Sequence, residues 1–135
     1  MKILLDTNVL IAAFITPGIC NELLEHCLRR HQLITSEFLL DEFQTHLVHK
    51  FHFTSRETQE AIEMLRLRAT VVVPVSLPDR ICRDADDDQV LGTALAGQVD
   101  CLVTGDNDLL EIKQFQSIPI IKPSEFSAFE GAYYG

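Results

Sequence analysis

The segment Lys2-Ile3-Leu4-Leu5-Asp6-Thr7-Asn8-Val9-Leu10 joins a short apolar run to an acidic residue and then to a second apolar pattern. A run of this length, ending at a polar residue, is typical of a buried strand. Residues 8–14 have their apolar side chains at helical spacing instead. We therefore expect the chain to pass from strand to helix at Asp6, which leaves a carboxylate at the end of the first strand.

The same alternation continues along the rest of the chain. Strands that alternate with helices favour a largely parallel sheet, covered on both faces and joined by right-handed crossovers. The fold class is therefore predicted to be α/β. Predicted strands are residues 2–5, 33–35, 69–73, 101–103 and 119–121.

Helix boundaries are predicted from capping residues and turn formers. Ser36 is expected to cap a helix with Phe38, Leu39, Phe43 and Leu47 on one stripe, and Thr54 or Ser55 to cap the next. The other predicted helices are residues 8–14, 19–30 and about 87–97, with Gly97 as a stop signal, followed by short helical turns after Asp108 and Ser124.

Length and composition restrict the class of protein further. The chain has 135 residues, of which 47% are hydrophobic and 23% charged, so we expect one folded domain over residues 1–135. No apolar run approaches the ~20 residues that cross a bilayer. The amino terminus lacks a basic patch followed by a long apolar stretch, so the expected location is the cytoplasm.

The charge balance and the cysteines exclude some kinds of site. A net charge of −9 argues against binding of nucleic acid through an excess of Lys and Arg. That argument fails if the acids gather in one metal site, where divalent cations offset their charge. Cys20, Cys27, Cys82 and Cys101 form no C-x-x-C pair, and we expect buried free thiols rather than a zinc site or a disulfide framework.

Acidic residues stand where the predicted strands end. Asp6 ends the first strand and Asp106 follows strand 101–103, so both belong at the carboxyl ends of parallel strands, where open α/β sheets bind their ligands. Glu42 lies three and four residues beyond Leu39 and Phe38, at the border of a buried helix stripe.

A further group of acids lies at the start of the helix that contains Val90. Asp87 is three, four and seven residues from Val90, Leu91 and Ala94, which turns it toward the core edge. Asp88 has a similar relation to Leu91 and Leu95. Periodicity alone does not choose between them, and any acid at a helix start has an alternative role as a cap or a favourable charge at the dipole.

Converging carboxylates need a counter-charge. At ~4 Å and an effective dielectric near 20, one pair of carboxylates repels by about 4 kcal/mol. Oxygen-only ligands suit Mg²⁺ or Mn²⁺, which bind phosphate oxygens at their remaining positions. The arrangement therefore points to metal-assisted hydrolysis of phosphodiesters, in which no nucleophilic side chain is required.

These segments resemble the PIN-domain family, and more narrowly the VapC-like toxin ribonucleases of bacterial toxin–antitoxin pairs. The resemblance spans about residues 2–127. It implies a three-layer α/β/α sandwich with a mainly parallel sheet, and a ribonuclease that requires Mg²⁺ or Mn²⁺ and acts on single-stranded or loop RNA. The segments that carry it are Ile3 to Leu10, the helix with Glu42, the stretch Arg83-Asp84-Ala85-Asp86-Asp87-Asp88, and Leu102 to Leu110.

Carried over by motif, the resemblance implies a catalytic and metal-binding quartet of Asp6, Glu42, Asp87 and Asp106, with Asp108 as a further metal ligand. Asn8, Thr104, Asp84 and Asp88 would support it. The chain departs from the family in one respect: Asp84, Asp87 and Asp88 compete for the position that a single acid usually holds. We prefer Asp87 because of its seven-residue distance to Ala94.

Basic and aromatic residues suggest contacts with partners. Arg80, Arg83 and Lys50 are candidates to bind RNA phosphate, with charge balance at the surface as the alternative. Tyr133 and Tyr134 end an aromatic-rich tail, which suits packing on a second copy of the chain, giving a dimer, or receipt of an antitoxin segment.

Two other classes of function compete with the nuclease. A phosphoacceptor receiver domain also uses acids at strand ends, but it needs an adjacent acidic pair after the first strand, where Asp6 stands alone. A non-catalytic RNA-binding or partner-binding relative of the PIN family would lack part of the quartet. Metal-dependent cleavage of RNA separates the nuclease from both alternatives.

Overall fold

The computed structural model describes residues 1–135 and contains one mainly parallel sheet of six strands. The strands are β1 (Lys2–Leu5), β2 (Gln32–Ser36), β3 (Thr70–Val72), β4 (Cys101–Val103), β5 (Gln114–Phe115) and β6 (Ile118–Ile121). Their order across the sheet is β3-β2-β1-β4-β6-β5, and only β5 and β6 pair antiparallel. The predicted α/β fold with a mainly parallel sheet is confirmed, and β5 is a strand that the sequence patterns did not predict.

Seven α-helices connect and cover these strands. They are α1 (Thr7–Ile15), α2 (Ile19–Arg30), α3 (Glu37–His49), α4 (Ser55–Arg68), α5 (Ala85–Gly97), α6 (Asn107–Leu110) and α7 (Phe126–Tyr134), with a 3₁₀ turn at Pro123–Glu125. Ser36 caps α3 as predicted, and of the two candidates for α4 the cap is Thr54, in a capping box with Glu57.

Two predicted helix starts were late by a residue or two. Helix α5 begins at Ala85 because the side chain of Asp84 accepts a hydrogen bond from the amide of Asp86. Helix α6 begins at Asn107 because Asp106 accepts from the amide of Asp108 in the same way. Both acids therefore act as N-caps, which draws the helix start toward them.

The two faces of the sheet bury separate apolar cores, as the predicted α/β/α layering requires. Ile3 and Leu5 of β1 face a core built with α1 to α4 and α7. Leu4 faces the opposite core, which contains the apolar side of α5. Because successive side chains of a strand point to opposite faces, β1 contributes to both cores and is buried at the centre of the sheet.

Gly97 has a different role from the one predicted. Helix α5 continues through Gly97, and the left-handed residue that ends it is Gln98, with φ 50°. A Cβ built on Gly97 would lie 2.5 Å from Cγ2 of Ile34. The glycine is needed because α5 packs directly on β2, not because it stops the helix.

The cysteines are free thiols, as predicted. All four cysteines are free, and three are buried while Cys20 is half-buried. Burial raises the pKa of Cys27 to about 12, which leaves it an inert thiol at neutral pH. No single helix has the length and apolar character to cross a bilayer; only α1 and α2 together, bent by 106°, meet those criteria.

Candidate functional site

A pocket of about 380 Å³ opens beside the carboxyl ends of β1 and β4. The carboxyl ends of parallel strands lie at the same edge of the sheet, so the polar residues that follow these strands lie close together there. Six acids line this pocket: Asp6, Glu42, Asp84, Asp86, Asp87 and Asp106. All four members of the predicted quartet are among them.

Asp6 is the most deeply buried of these acids, with 5% of the residue exposed. Its carboxylate accepts hydrogen bonds from the amide of Thr7 at 2.7 Å, the hydroxyl of Thr104 at 2.7 Å and the side-chain amide of Asn8 at 3.3 Å. Burial raises the pKa of Asp6 despite these bonds, and the charge of Asp106 adds to the rise. All three donors are uncharged, so the negative charge has no basic partner.

Thr104 and Asn8 join the two strand ends. The hydroxyl of Thr104 accepts a hydrogen bond from the amide of Asp106 at 3.0 Å while it donates to Asp6. The side-chain oxygen of Asn8 accepts from the amide of Gly105 at 3.2 Å. The first helix is capped by Asp6, not by Asn8, so Asn8 serves as a bridge between the two loops.

Glu42 reaches the pocket from α3. The hydroxyl of Thr7 donates a 3.0 Å hydrogen bond to its Oε1. Partial burial raises the pKa of Glu42, and the charges of Asp6 and Asp86 add to the effect. Sequence patterns missed Thr7 as a site residue, although its position directly after the strand-end acid was a usable signal.

Three of the four acids at the start of α5 line the pocket. Asp87 lies in the pocket with 9% of the residue exposed. Burial and the adjacent carboxylate of Asp106 raise the pKa of Asp87 to about 7. Asp84 caps α5 and also lines the pocket. Asp86, which the sequence analysis left out of the site, lines the pocket as well.

Asp88 turns away from the pocket, which corrects its predicted role as a supporting residue of the site. Its carboxylate accepts hydrogen bonds from the amides of Ile81 at 3.2 Å and Cys82 at 2.8 Å. These bonds fold the preceding loop against α5. The side chain therefore has a local structural task, and the helical spacing that it shares with Asp87 did not reveal this difference.

Asp108 lies at the rim. Carboxylate oxygens of Asp87, Asp106 and Asp108 lie within 4.8 Å of one another. Arg83 donates to Oδ1 of Asp108 at 2.8 Å, which places a cation at the edge of the cluster.

Arg80, another predicted RNA contact, donates to the backbone carbonyls of Cys82 and Arg83. Its guanidinium is engaged within its own loop, so the predicted contact of Arg80 with RNA has no support in this arrangement.

One wall of the pocket is basic and aromatic. Lys50, Phe51 and His46 line it from the end of α3. Burial and the charge of Lys50 lower the pKa of His46, so the imidazole is more readily neutral than a free histidine. Lys50 is the predicted RNA contact that lines the same pocket as the acids, and His46 and Phe51 are pocket residues beyond those predicted.

The mainly parallel sheet and the pocket of carboxylates at its strand ends place this chain among the α/β proteins with an acidic site. The sequence matches the family model described as PIN domain over residues 2–108. The chain belongs to the PIN domain family, as its motifs predicted. No curated protein matches the sequence significantly.

Three solved structures share the fold. VapBC2 from Rickettsia felis, bound to a DNA fragment from its promoter, matches with TM-score 0.63 and 17% identity over 90% of this chain and 98% of that one. VapBC-1 from nontypeable Haemophilus influenzae gives 0.62 and 19% over 92% and 99%. FitAcB from Neisseria gonorrhoeae gives 0.54 and 17% over 90% and 98%. At these identities the likeness shows a common fold.

Proposed function

We propose that this chain is an endoribonuclease that requires Mg²⁺ or Mn²⁺ and hydrolyses phosphodiester bonds of single-stranded or loop RNA. The observation that supports it best is the convergence of Asp6, Glu42, Asp87 and Asp106 on one pocket, from four separate parts of the chain. Membership of the PIN domain family supports the same conclusion.

The donor set suits a hard divalent cation. The proposed ligands are all carboxylates, the class of ligand that Mg²⁺ and Mn²⁺ prefer. Asp6 is buried without a basic partner, and the pKa of Asp87 is raised to about 7 by burial and by the acids around it. Asp6, Glu42, Asp87 and Asp106 would hold the cation, with Asp108 at the rim. When bound, it would supply a nucleophilic hydroxide at neutral pH and offset phosphate charge.

The neutral side chains orient the carboxylates. Thr104 and Asn8 donate to Oδ2 of Asp6, and Thr7 donates to Glu42. These bonds reduce the freedom of the two carboxylates to rotate. Burial and the nearby carboxylates raise the pKa of Asp87 to about 7, so its carboxyl group holds a proton more readily than a free aspartate when no cation is present.

The basic wall gives the substrate a second point of attachment. Lys50 lines the same pocket as the acids and can pair with a phosphate of the RNA. Phe51, 41% exposed at the same wall, offers a face on which an unpaired base can stack. Arg83 is held by Asp108 at the rim, where a phosphate would compete for it.

We also propose that the enzyme acts in the cytoplasm as the toxin of a toxin–antitoxin pair, with a protein antitoxin as partner and a dimer as its assembly. Two of the proteins that share its fold are VapBC assemblies, one of them bound to promoter DNA. Expression of the chain in bacteria is expected to stop growth, and Asp6→Asn is expected to abolish that effect. Normal growth of cells that contain active wild-type enzyme would contradict the toxin role but not the nuclease activity.

Cleavage of end-labelled single-stranded RNA tests the enzymatic proposal. Wild type is expected to cut with Mn²⁺ or Mg²⁺ and to stop in EDTA, and Asp6→Asn and Glu42→Gln to be inactive. Asp41→Asn is the matched control, since Asp41 is exposed on α3 beside Glu42 and does not line the pocket. Cleavage that survives EDTA or Asp6→Asn contradicts the proposal; RNA binding without cleavage supports a non-catalytic relative, and uptake of acetyl phosphate a receiver.

A further inference from the structure

A second cluster of metal-ligating side chains lies away from the acidic pocket. It joins His26 on α2, His31 directly after α2, and Glu130 on α7. Nε2 of His26 lies 2.6 Å from Oε2 of Glu130, and Nε2 of His31 lies 2.5 Å from the same oxygen. Both imidazoles therefore point at one position, although the carboxylate has two oxygens to offer.

The spacing of the two imidazoles suits a tetrahedral ion. Their ring centroids are 5.4 Å apart, with the planes at 73°. Zinc–nitrogen bonds of about 2.0–2.1 Å at a tetrahedral angle place two such centroids about 5 Å apart. The rings of His26 and His31 would therefore need little movement.

Glu130 has the freedom that the remaining adjustment requires. Ligand atoms around tetrahedral zinc lie about 3.3 Å from one another, whereas Oε2 lies only 2.6 and 2.5 Å from the two imidazole nitrogens, so the carboxylate must turn aside to admit the ion. The side chain of Glu130, in the middle of α7, is 26% exposed. Rotation of its terminal carboxylate provides such a movement without a shift of the helix.

His31 is held in place before any ion arrives. Its side chain is 2% exposed and packs on Phe126 and Tyr134, with ring centroids at 5.9 and 6.2 Å. Nδ1 lies 3.2 Å from the amino nitrogen of Met1. The two aromatic contacts and the contact at Nδ1 restrict rotation of the ring, so Nε2 is already directed at Glu130.

A pocket beside the cluster offers room for a fourth ligand. His26 and Glu130 line this pocket of about 250 Å³ together with Glu22 and Ser127. Glu22 precedes His26 by four residues on α2, so both lie on one face of the helix. Either a water molecule or the carboxylate of Glu22 can complete the coordination.

We propose that His26, His31 and Glu130 form a binding site for Zn²⁺ that fastens α7 to α2. Two imidazoles and one carboxylate are a known ligand set for zinc, and the nitrogen donors disfavour Mg²⁺. The ion would join the last helix of the chain to the end of α2. The site is separate from the acidic pocket and does not depend on nuclease activity.

Cobalt spectroscopy tests this proposal on the full-length chain. Co²⁺ added to chelator-treated protein is expected to give the intense visible bands of a tetrahedral site, and one equivalent of Zn²⁺ to remove them. His26→Ala and Glu130→Gln are expected to abolish the bands and to weaken Zn²⁺ binding at least tenfold. One equivalent of Zn²⁺ is expected to raise the melting temperature of wild type by several degrees more than that of Glu130→Gln, which retains the acidic pocket.

Two controls exclude other sites. His49→Ala removes an exposed histidine outside the cluster, and Asp6→Asn alters the acidic pocket; both variants are expected to retain the tetrahedral bands. Glu130→Gln keeps the shape of the side chain, so its fold can be verified by circular dichroism. Absence of tetrahedral bands in wild type, or their persistence in folded Glu130→Gln, would overturn the proposal.

Discussion

Thr104 connects the acids at the ends of β1 and β4: its hydroxyl donates to Oδ2 of Asp6 at 2.7 Å and accepts from the amide of Asp106 at 3.0 Å. One buried hydroxyl thereby sets the orientation of a side chain on one strand end and the backbone on another. The geometry of the pocket depends on this neutral residue as much as on the charged ones.

Thr104→Val removes that hydroxyl with little change in volume. RNA cleavage is expected to fall about 10–100-fold, the usual loss when an outer partner of a metal ligand is removed. The free energy of unfolding is expected to fall by about 1–3 kcal/mol, because the buried carboxylate of Asp6 loses a donor and the partly buried amide of Asp106 loses its acceptor. Thr45→Val, at an exposed position of α3, serves as the control. Full activity in Thr104→Val would show that Asp6 is oriented without it.

The stability of the metal-free protein should depend on pH in an unusual direction. The pKa of Asp87 is raised to about 7, and the pKa values of Asp6 and Glu42 are also raised. The folded state therefore holds these protons more tightly than the unfolded chain does, so stability falls as pH rises from the unfolded pKa near 4 to about 7. Urea unfolding in EDTA is expected to show a loss on the order of 2 kcal/mol between pH 5 and pH 8.

Two comparisons link that loss to the pocket. Asp87→Asn carries no titratable proton, so its stability should fall less over the same pH range. Millimolar Mn²⁺ should also reduce the loss, because the cation takes over the neutralising role of the protons. An identical pH profile in wild type and Asp87→Asn would show that the cluster contributes little repulsion.

Substitution of Asp87 should mainly lower RNA cleavage, whereas substitution of Asp88 should mainly lower stability. Asp87→Asn is expected to lower RNA cleavage by at least about 100-fold, since a ligand is lost rather than an outer partner. Asp88→Asn weakens hydrogen bonds to the amides of Ile81 and Cys82, so it should cost about 1 kcal/mol of stability and less than about tenfold in cleavage. Equal losses of cleavage in the two variants would contradict this assignment.

Lys50→Gln should act on substrate binding. Lys50 lines the pocket that contains the acids, so its removal is expected to raise KM several-fold with kcat nearly unchanged. The dependence of log KM on log salt should weaken by about 0.7, the value for one phosphate contact with a single strand. Lys113→Gln, at an exposed position near β5, makes the same charge change away from the pocket. A fall in kcat alone would argue against a phosphate contact.

The sequence predicted the sheet well because its buried strands are short apolar runs with clear ends. Strand β4 and helix α2 have the predicted bounds. Strand β5 was missed because two residues carry no periodicity, and its antiparallel pairing depends on the turn before β6. Gly97 was misread because a stop signal and a close helix–sheet contact both require glycine, and only the neighbouring Ile34 distinguishes them.

The acids of the pocket were predictable from topology, since parallel strand ends meet at one edge. Their hydrogen bonds were not. Thr7 donates to Glu42, which lies 35 residues away, and no local pattern announces such a contact. Asp87 and Asp88 share the same helical spacing, and only the loop at Ile81 shows that one of them is engaged elsewhere.

Two glycine substitutions test how the helices are packed. Gly97→Ala would put a Cβ 2.5 Å from Cγ2 of Ile34, so α5 must move away from β2, at an expected cost of about 1–3 kcal/mol. Gly131→Ala in α7 meets open space and should stabilise the protein by up to about 1 kcal/mol, because alanine is the better helix former. In urea unfolding, the two variants should change the free energy of unfolding in opposite directions if α5 is as close to the sheet as described. A neutral Gly97→Ala would mean that this contact relaxes freely, and the glycine would then need another explanation.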